Sequence, residues 1–298
     1  MKFTVFTPTF QRGHTLHRVY NSLLCQTLRD FEWIIVDDGS TDQTADIVLK
    51  WQKENKFSIY YKKQANQGKH VAINVGVKLS KGELFLIADS DDEFPPNALQ
   101  TFNDIWINIP LSCRSNFSGV TGLCVDNSRN IIGNKFPSDI FDSTSADCLY
   151  RFGIKGEKWG FQRTEIMKKF PFPEFKSHYF PESIIWNAIG RQYKTRFINQ
   201  VVRIYKDDSG NQLTNKSIIE RSKLYIFYAT ILSNDIDYLF VAPWTLFKIA
   251  AQGSRFSLHQ KDTLKRQFSR LKKWPTKTLW FFALPVGFIL FQYDKFKA

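Results

Sequence analysis

Two acidic clusters carry the chemistry most worth explaining in this chain. Asp37-Asp38-Gly39-Ser40-Thr41-Asp42 follows the apolar run at residues 31–36, and Asp89-Ser90-Asp91-Asp92 ends a second apolar run at 84–88. Uncompensated carboxylates at the end of a buried strand are costly. Hard oxygen ligands at this spacing suit Mg2+ or Mn2+, cations that keep waters and bridge to a diphosphate. The other reading is a solvated turn whose negative charge favours the N-terminus of the next helix. Spacing alone does not decide, because Asp235-Ile236-Asp237 has the same pattern in a region that reads as helical. At the first cluster, a turn before a capped helix explains Gly39, Ser40 and Asp42 but not two successive aspartates. A carboxylate there could accept the N3–H of a uracil ring.

The elements that would position these clusters alternate. Residues 3–7, 31–36, 58–61 and 84–88 read as strands. Between them lie helices with apolar faces: Leu16, Val19, Tyr20, Leu23 and Leu24 after a Thr15 cap; Ile47, Val48 and Trp51 after a Ser40/Gln43 capping box; and Val71, Ala72, Val75 and Leu79 after the turn Asn66-Gln67-Gly68. Pro95 and Pro96 open a further helix. Such repeats predict a mostly parallel sheet with helices on both faces, whose ligands bind at the carboxyl ends of the strands. Both clusters fall at those ends, so something cationic is expected between them. Residues 117–136 read as two strands around a turn at Asn127-Ser128, and the chain from about 217 onward as helical.

The chain has 298 residues, with 41 Lys/Arg against 28 Asp/Glu and 47 aromatics. That composition excludes a disordered or collagen-like chain. No run approaches the ~20 apolar residues of a spanning helix. The basicity is local: residues 221–298 hold 13 Lys/Arg and 4 Asp/Glu. Leu264, Phe268 and Leu271 recur among lysines and arginines as a basic amphipathic helix ended by Pro275. The apolar segment 279–291, interrupted by Pro285 and Gly287, reads as too short to span and suited to an interface. Residues 255–298 are therefore expected to meet an anionic membrane surface; a core helix with solvated lysines is the alternative. Nucleic acid is not expected as a partner, because no reader motif is present. Cys25, Cys113, Cys124 and Cys148 have no metal-ligand or disulfide spacing and read as reduced thiols. The N-terminus reads as a strand, not a leader, so the sequons at Asn116 and Asn215 read as chance. His14 and His17 read as surface or pocket-rim residues, and His178 lies near Glu182.

In order along the chain, Thr7-Pro8-Thr9-Phe10-Gln11-Arg12, Ser22-Leu23-Leu24-Cys25-Gln26-Thr27, residues 30–42, and Lys81-Gly82-Glu83 leading into Asp89-Ser90-Asp91-Asp92 resemble a family 2 glycosyltransferase. Gln11 stands where many members have Asn. The resemblance implies the GT-A fold, a Rossmann-like mixed sheet flanked by helices, over residues 1–210. Residues 211–298 would form the membrane-associating region at the cytoplasmic face. It also implies inverting transfer from a nucleotide-diphospho-sugar, UDP-linked, to a glycan or lipid-linked acceptor in surface polysaccharide assembly, with Mn2+ or Mg2+.

On the same resemblance, Thr7, Pro8, Thr9, Asp37, Asp38, Asn66, Gly68, Lys69, Asp89 and Ser90 would contact the nucleotide. Asp38 would read the uracil, with Asp37 supporting its loop. Asp91, Asp89 and Asp92 would hold the metal. The base would be Glu182, four residues before Trp186, although Pro181 stands where the family has another acidic residue. Trp159 and residues 170–173 could wall the acceptor site or simply pack in the core. Two rivals differ in class. A nucleotidyltransferase would need a Gly-rich phosphate loop, for which Phe10-Gln11-Arg12-Gly13 is poor. A non-catalytic glycan- or nucleotide-binding scaffold would lack the Asp89/Asp91 pair or the base.

Overall fold

A computed structural model describes residues 1–174, 180–206 and 217–297. His178, Asn215 and the expected boundary at 210/211 lie outside the described residues. The chain divides into two compact units, one of Met1–Ser145 with Ile154–Ser209, the other of Ala146–Gly153 with Gly210–Ala298.

The first unit is built on one sheet. The strands β1 (Phe3–Thr9), β2 (Phe31–Asp37), β3 (Ile59–Lys63) and β4 (Leu84–Ile87) pair in parallel, in the order β3-β2-β1-β4. Helices α1 (His17–Leu24), α2 (Thr44–Glu54) and α3 (Lys69–Leu79) connect them. The sheet continues through β5 (Phe117–Val125), β6 (Ile140–Ser143), β7 (Lys158–Arg163) and β8 (Lys194–Ile204), in the order β4-β7-β5-β8-β6. β7 runs antiparallel to β4 and β5, which makes the sheet mixed. α4 (Ala98–Ile107), α5 (Leu111–Arg114), α7 (Thr164–Lys169) and α8 (Ser183–Gly190) complete this unit's connections up to β8, while α6 (Ser145–Tyr150), between β6 and β7, falls almost wholly in the second unit.

β1 and β2 are buried along their whole length, as continuous apolar runs of a covered parallel sheet should be. On one face, Tyr20 of α1 stacks on Trp51 of α2 at 4.3 Å, and both meet Trp33 of β2. Phe161 of β7 meets Phe3, Phe102 and Trp106 edge-on.

The Lys81-Gly82-Glu83 motif has a structural cause. Buried Glu32 accepts hydrogen bonds from the Thr4 hydroxyl at 2.6 Å and the Lys81 amide at 2.7 Å. The Gly82 amide donates to Thr4 Oγ1 at 2.9 Å, and a Cβ on Gly82 would lie 2.4 Å from the Thr4 nitrogen.

Local expectations changed in four places. Thr15 does not cap α1; its hydroxyl donates back to the Arg12 carbonyl. Ser40 does not cap α2 but accepts the Gln11 amide, and Asp42 Oδ1 takes the Thr44 amide and hydroxyl instead. Beyond β5 the expected second strand is reduced to one bridge, Val125 to Ile131, because Asp126 folds residues 126–130 into a turn.

The fourth change concerns the second unit. Its helices are α9 (Ile218–Ser222), α10 (Tyr225–Asp235), α11 (Pro243–His259), α12 (Leu264–Arg270) and α13 (Trp274–Lys297). Pro275 opens α13, where its missing N–H costs nothing. The segment expected to be short and broken is part of one 24-residue helix that continues through Pro285. By length and composition alone, α13 could cross a membrane. Leu232, Leu246, Ala250, Leu271, Trp280 and Ala283 form this unit's core.

Candidate active site

In the order β2-β1-β4, the chain runs to one side of β1 and then returns on the other, so a crevice opens at the carboxyl ends. The loops after β2 and β4 therefore place Asp37/Asp38 and Asp89/Asp91/Asp92 along one edge, flanking β1.

Asp37 is fully buried and holds its own loop. Its Oδ1 accepts the Ser40 amide at 2.7 Å, and its Oδ2 the Tyr61 hydroxyl at 2.6 Å. Burial, reinforced by that carboxylate, raises the Tyr61 phenol far above its ordinary value.

Asp38 ties the loop before α3. Its Oδ1 accepts Gln64 Nε2 and the Gln67 amide, each at 2.9 Å, and its Oδ2 accepts the Gly68 amide at 2.7 Å. A carboxylate has about four acceptor positions, so room for one further donor remains. The loops approach closely: a Cβ on Gly39 would lie 3.2 Å from the Asn66 nitrogen, and Gly39 has φ +92°. Gly68, with φ 103°, makes the turn into α3.

β1 contributes backbone more than side chains. Thr7 is fully buried and its hydroxyl accepts Trp33 Nε1 at 2.9 Å, so this side chain belongs to the core, not to the open crevice. Pro8 is buried opposite Val36. The Thr9 carbonyl accepts the Asp38 amide at 2.8 Å. Its buried hydroxyl has no hydrogen-bond partner among the described residues.

Lys69, the first residue of α3, is the cation between acidic groups. Its Nζ lies 2.7 Å from Asp89 Oδ1 and 2.8 Å from Glu182 Oε1. Burial disfavours charge on Lys69, but the two carboxylates overcome it and hold the ammonium well above its usual range. Burial likewise opposes ionisation of Asp89, yet Lys69 and Arg203 keep its carboxyl below the usual range. Glu182 stands just before α8 and leaves that helix's amides alone. Phe172 is clamped at both backbone groups by Asn74 of α3, with bonds of 2.9 and 2.8 Å. Phe172 in turn packs edge-on against Phe180 and Trp186, on either side of Glu182.

Asp92, expected in the metal set, has its side chain engaged within the protein. It is 2% exposed; its Oδ1 lies 2.6 Å from Arg203 and its Oδ2 accepts the Asp89 amide at 2.8 Å. Burial, with Asp89 and Asp91 nearby, raises its carboxyl against the pull of Arg203. Asp92 therefore shapes the turn, with one oxygen on Arg203 and the other on the Asp89 amide. Ser90 is buried in the same turn.

Among the described residues no group of three or more His, Cys, Asp or Glu side chains is assembled around a common point. The remaining donor set, Asp91 and Asp89, still fits Mg2+ or Mn2+ chemically: two hard carboxylates that leave most positions to water and diphosphate. Of the two readings given for Trp159, acceptor wall or core, the structure places it in the core. It is 5% exposed and donates to the Ile87 carbonyl at 2.6 Å.

Sequence reasoning missed Arg203, Tyr61 and Gln64. Arg203 had a signal, a lone charge in the apolar run Val201-Val202-Arg203-Ile204. Tyr61 and Gln64 had none, since their partners come from strands paired only in the fold.

Known proteins resemble this chain in sequence and in fold. Residues 4–112 match the family model described as glycosyl transferase family 2. An uncharacterized glycosyltransferase of Nostoc sp. is 37% identical over 106 residues, which are 36% of this chain and 33% of that protein. The GalNAc(5)-diNAcBac-PP-undecaprenol beta-1,3-glucosyltransferase of Campylobacter jejuni is 24% identical over 283 residues, 91% of this chain and 88% of that one. The chain thus spans a third of one relative and most of the other. The crystal structure of S. aureus TarS 1-349 in complex with UDP-GlcNAc shares the fold, with a TM-score of 0.63 at 21% identity, over 96% of this chain and 80% of that one. Residues 4–112 are thus similar to glycosyl transferase family 2, and the sheet they build into has the GT-A fold.

Proposed function

We propose that this chain transfers a sugar from a nucleotide-diphospho-sugar, UDP-linked, to a lipid-linked or polymeric glycan acceptor in surface polysaccharide assembly, with inversion. The observation that carries this reading is the row Asp38, Asp89, Lys69 and Glu182 along one sheet edge. In it a base-like carboxylate is paired to the same lysine as the aspartate of the acidic turn. The UDP-GlcNAc named with the TarS structure and the undecaprenol-linked substrate named for the Campylobacter enzyme support the donor and acceptor classes.

Residues 1–210 would be the catalytic domain. Asp38 would take the N3–H of uracil with its remaining acceptor position. Thr9, Asn66 and Gly68 would line the base and ribose. Asp91 and Asp89 would hold the Mg2+ or Mn2+ ion, which when bound supplies positive charge to a departing diphosphate. Lys69 offsets the repulsion between Asp89 and Glu182 and offers a second cation at the leaving-group side. Glu182 removes the proton from the acceptor hydroxyl. The hydroxyl oxygen bonds to the anomeric carbon as the bond from that carbon to the diphosphate oxygen breaks on the opposite face. Residues 211–298 would hold the enzyme at the cytoplasmic face of a membrane, where a lipid-linked acceptor is presented.

Calorimetric titration with UDP, GDP and CMP, with and without Mn2+, on wild type and Asp91→Ala tests the donor site. UDP binding that needs both Mn2+ and Asp91 is expected. Glu182→Gln is expected to keep that binding and lose roughly 10²–10⁴ in turnover. Binding of no nucleotide under any condition would refute the reading.

A further inference from the structure

α13 has two faces of different chemistry. Thr276, Trp280, Ala283 and Gly287 are buried and recur at helical spacing as one stripe. That stripe is fitted closely to α11. A Cβ on Gly253 would lie 2.5 Å from the Trp280 ring, and one on Gly287 would lie 2.6 Å from Ser254 Oγ. Asp294, the one acidic residue of α13, is on the same side. It takes Arg255 Nε at 2.7 Å and His259 Nε2 at 2.7 Å, and pairs with a second Arg255 nitrogen as well. The Arg255 hydrogen bond is the main reason its carboxyl sits below the usual range.

The opposite side is apolar. Trp274, Phe281, Phe282, Phe288, Ile289 and Phe296 each leave at least 50% of their surface exposed. Lys277 and Lys295 lie five turns apart at one border of this face. Lys265, Arg266, Lys272 and Lys273 come just before the helix. We infer that α13 is an in-plane anchor, its outward face entering the headgroup–acyl boundary of an anionic bilayer without crossing it.

This rests on the membrane-surface part of the proposed function and adds the face and the depth. Crossing is opposed by the packing. A spanning α13 would either leave α11, exposing Asp294, or carry Arg255, His259 and Gln252 of α11 into hydrocarbon. The charge pattern selects the occupant. A second copy of the same face would bring the flanking lysines together, whereas anionic headgroups neutralise them.

The test is flotation of the full chain with sealed vesicles of phosphatidylcholine containing about 30% phosphatidylglycerol, a composition chosen for its negative surface. Wild type is expected to float, less so at high salt. The F281E/F282E/I289E variant should lose roughly tenfold or more of vesicle binding. Its melting temperature and UDP binding should match wild type. A C-terminal tag should stay accessible to protease added outside the vesicles. A protected tag would mean that α13 crosses and would overturn the inference. So would unchanged flotation of the variant, or a wild type that dimerises through this face and never floats. The assay contains neither donor nor acceptor. A chain that floats but binds no nucleotide leaves this inference standing and removes the transfer reading, and the reverse result does the opposite.

Discussion

Arg203→Met removes the buried partner of Asp92 while keeping an apolar side chain of similar length. The two side chains are 9% and 2% exposed and 2.6 Å apart. Without Arg203, Asp92 must stay charged and buried or fold with a proton, and losing one partner of such a pair costs about 3–5 kcal/mol. In a unit of this size each kcal/mol moves the melting temperature by about 2–4 °C, so a fall of roughly 6–20 °C is expected. The structure supplies its own control. Lys206 and Glu93 pair at 3.1 Å near the same strand end, but are 25% and 37% exposed. Lys206→Met should cost no more than about 1 kcal/mol.

The assay is near-UV circular dichroism of the melting full chain, followed by UDP titration well below the transition. Because Asp92 Oδ2 accepts the Asp89 amide, the variant should also bind nucleotide more weakly where it is still folded. Adding Asp92→Asn removes the stranded charge while keeping an oxygen for that amide. The double variant should recover to within about 2 kcal/mol of wild type, since replacing a whole buried pair is often neutral. An Arg203→Met melting point within about 2 °C of wild type would refute the reasoning. A double variant as unstable as the single one would show that the stranded charge is not the cause.

Two further outcomes follow from the packing. Gly82→Ala should destabilise the first unit by about 1–3 kcal/mol or more, because its Cβ meets the Thr4 backbone at 2.4 Å; urea denaturation measures this, and an unchanged midpoint would contradict it. Burial opposes ionisation of Asp42, but its bonds to Thr44 and Gly13 win and lower its carboxyl. A lowered folded value means stability that is present above the unfolded value, about 3.9, and lost as pH falls through the folded one. Asp42→Asn should therefore lose stability at pH 7 and show a flatter acid limb in pH-dependent melting, and an identical limb would oppose the assignment.

The strands and the edge that gathers the two acidic clusters were legible because buried parallel strands are long apolar runs, and Asp-rich breaks mark their ends. Helix starts were less legible. Ser40 had capping-box spacing, yet its hydroxyl serves the β1 loop at Gln11, a contact across the fold that local spacing cannot foresee. Asp92 was grouped with Asp89 and Asp91 on the family resemblance. Its role depends on Arg203, 111 positions later on β8. In the second unit, Pro285 and Gly287 suggested interruption. The helix runs through both, and at Gly287 it packs so tightly on α11 that a Cβ would lie 2.6 Å from Ser254 Oγ; packing overrides propensity.

The position of Glu182 then has a physical account that does not need the second acidic residue displaced by Pro181. α3 controls it twice. Lys69, at the start of that helix, pairs with Glu182 directly. Asn74, five residues on, fixes both backbone groups of Phe172, which packs against Phe180 and Trp186. The same Lys69 reaches Asp89, while Gly68, the residue before it, is held by Asp38. One helix start thus joins the loop held by Asp38, the acidic turn and Glu182. Lys69 balances Asp89 and Glu182 at once, so on the proposed reading a donor beside Asp89 also alters the field at Glu182. In the proposed transfer this one side chain couples donor binding to the orientation of the base, whereas an acidic pair at that position would have to be balanced separately.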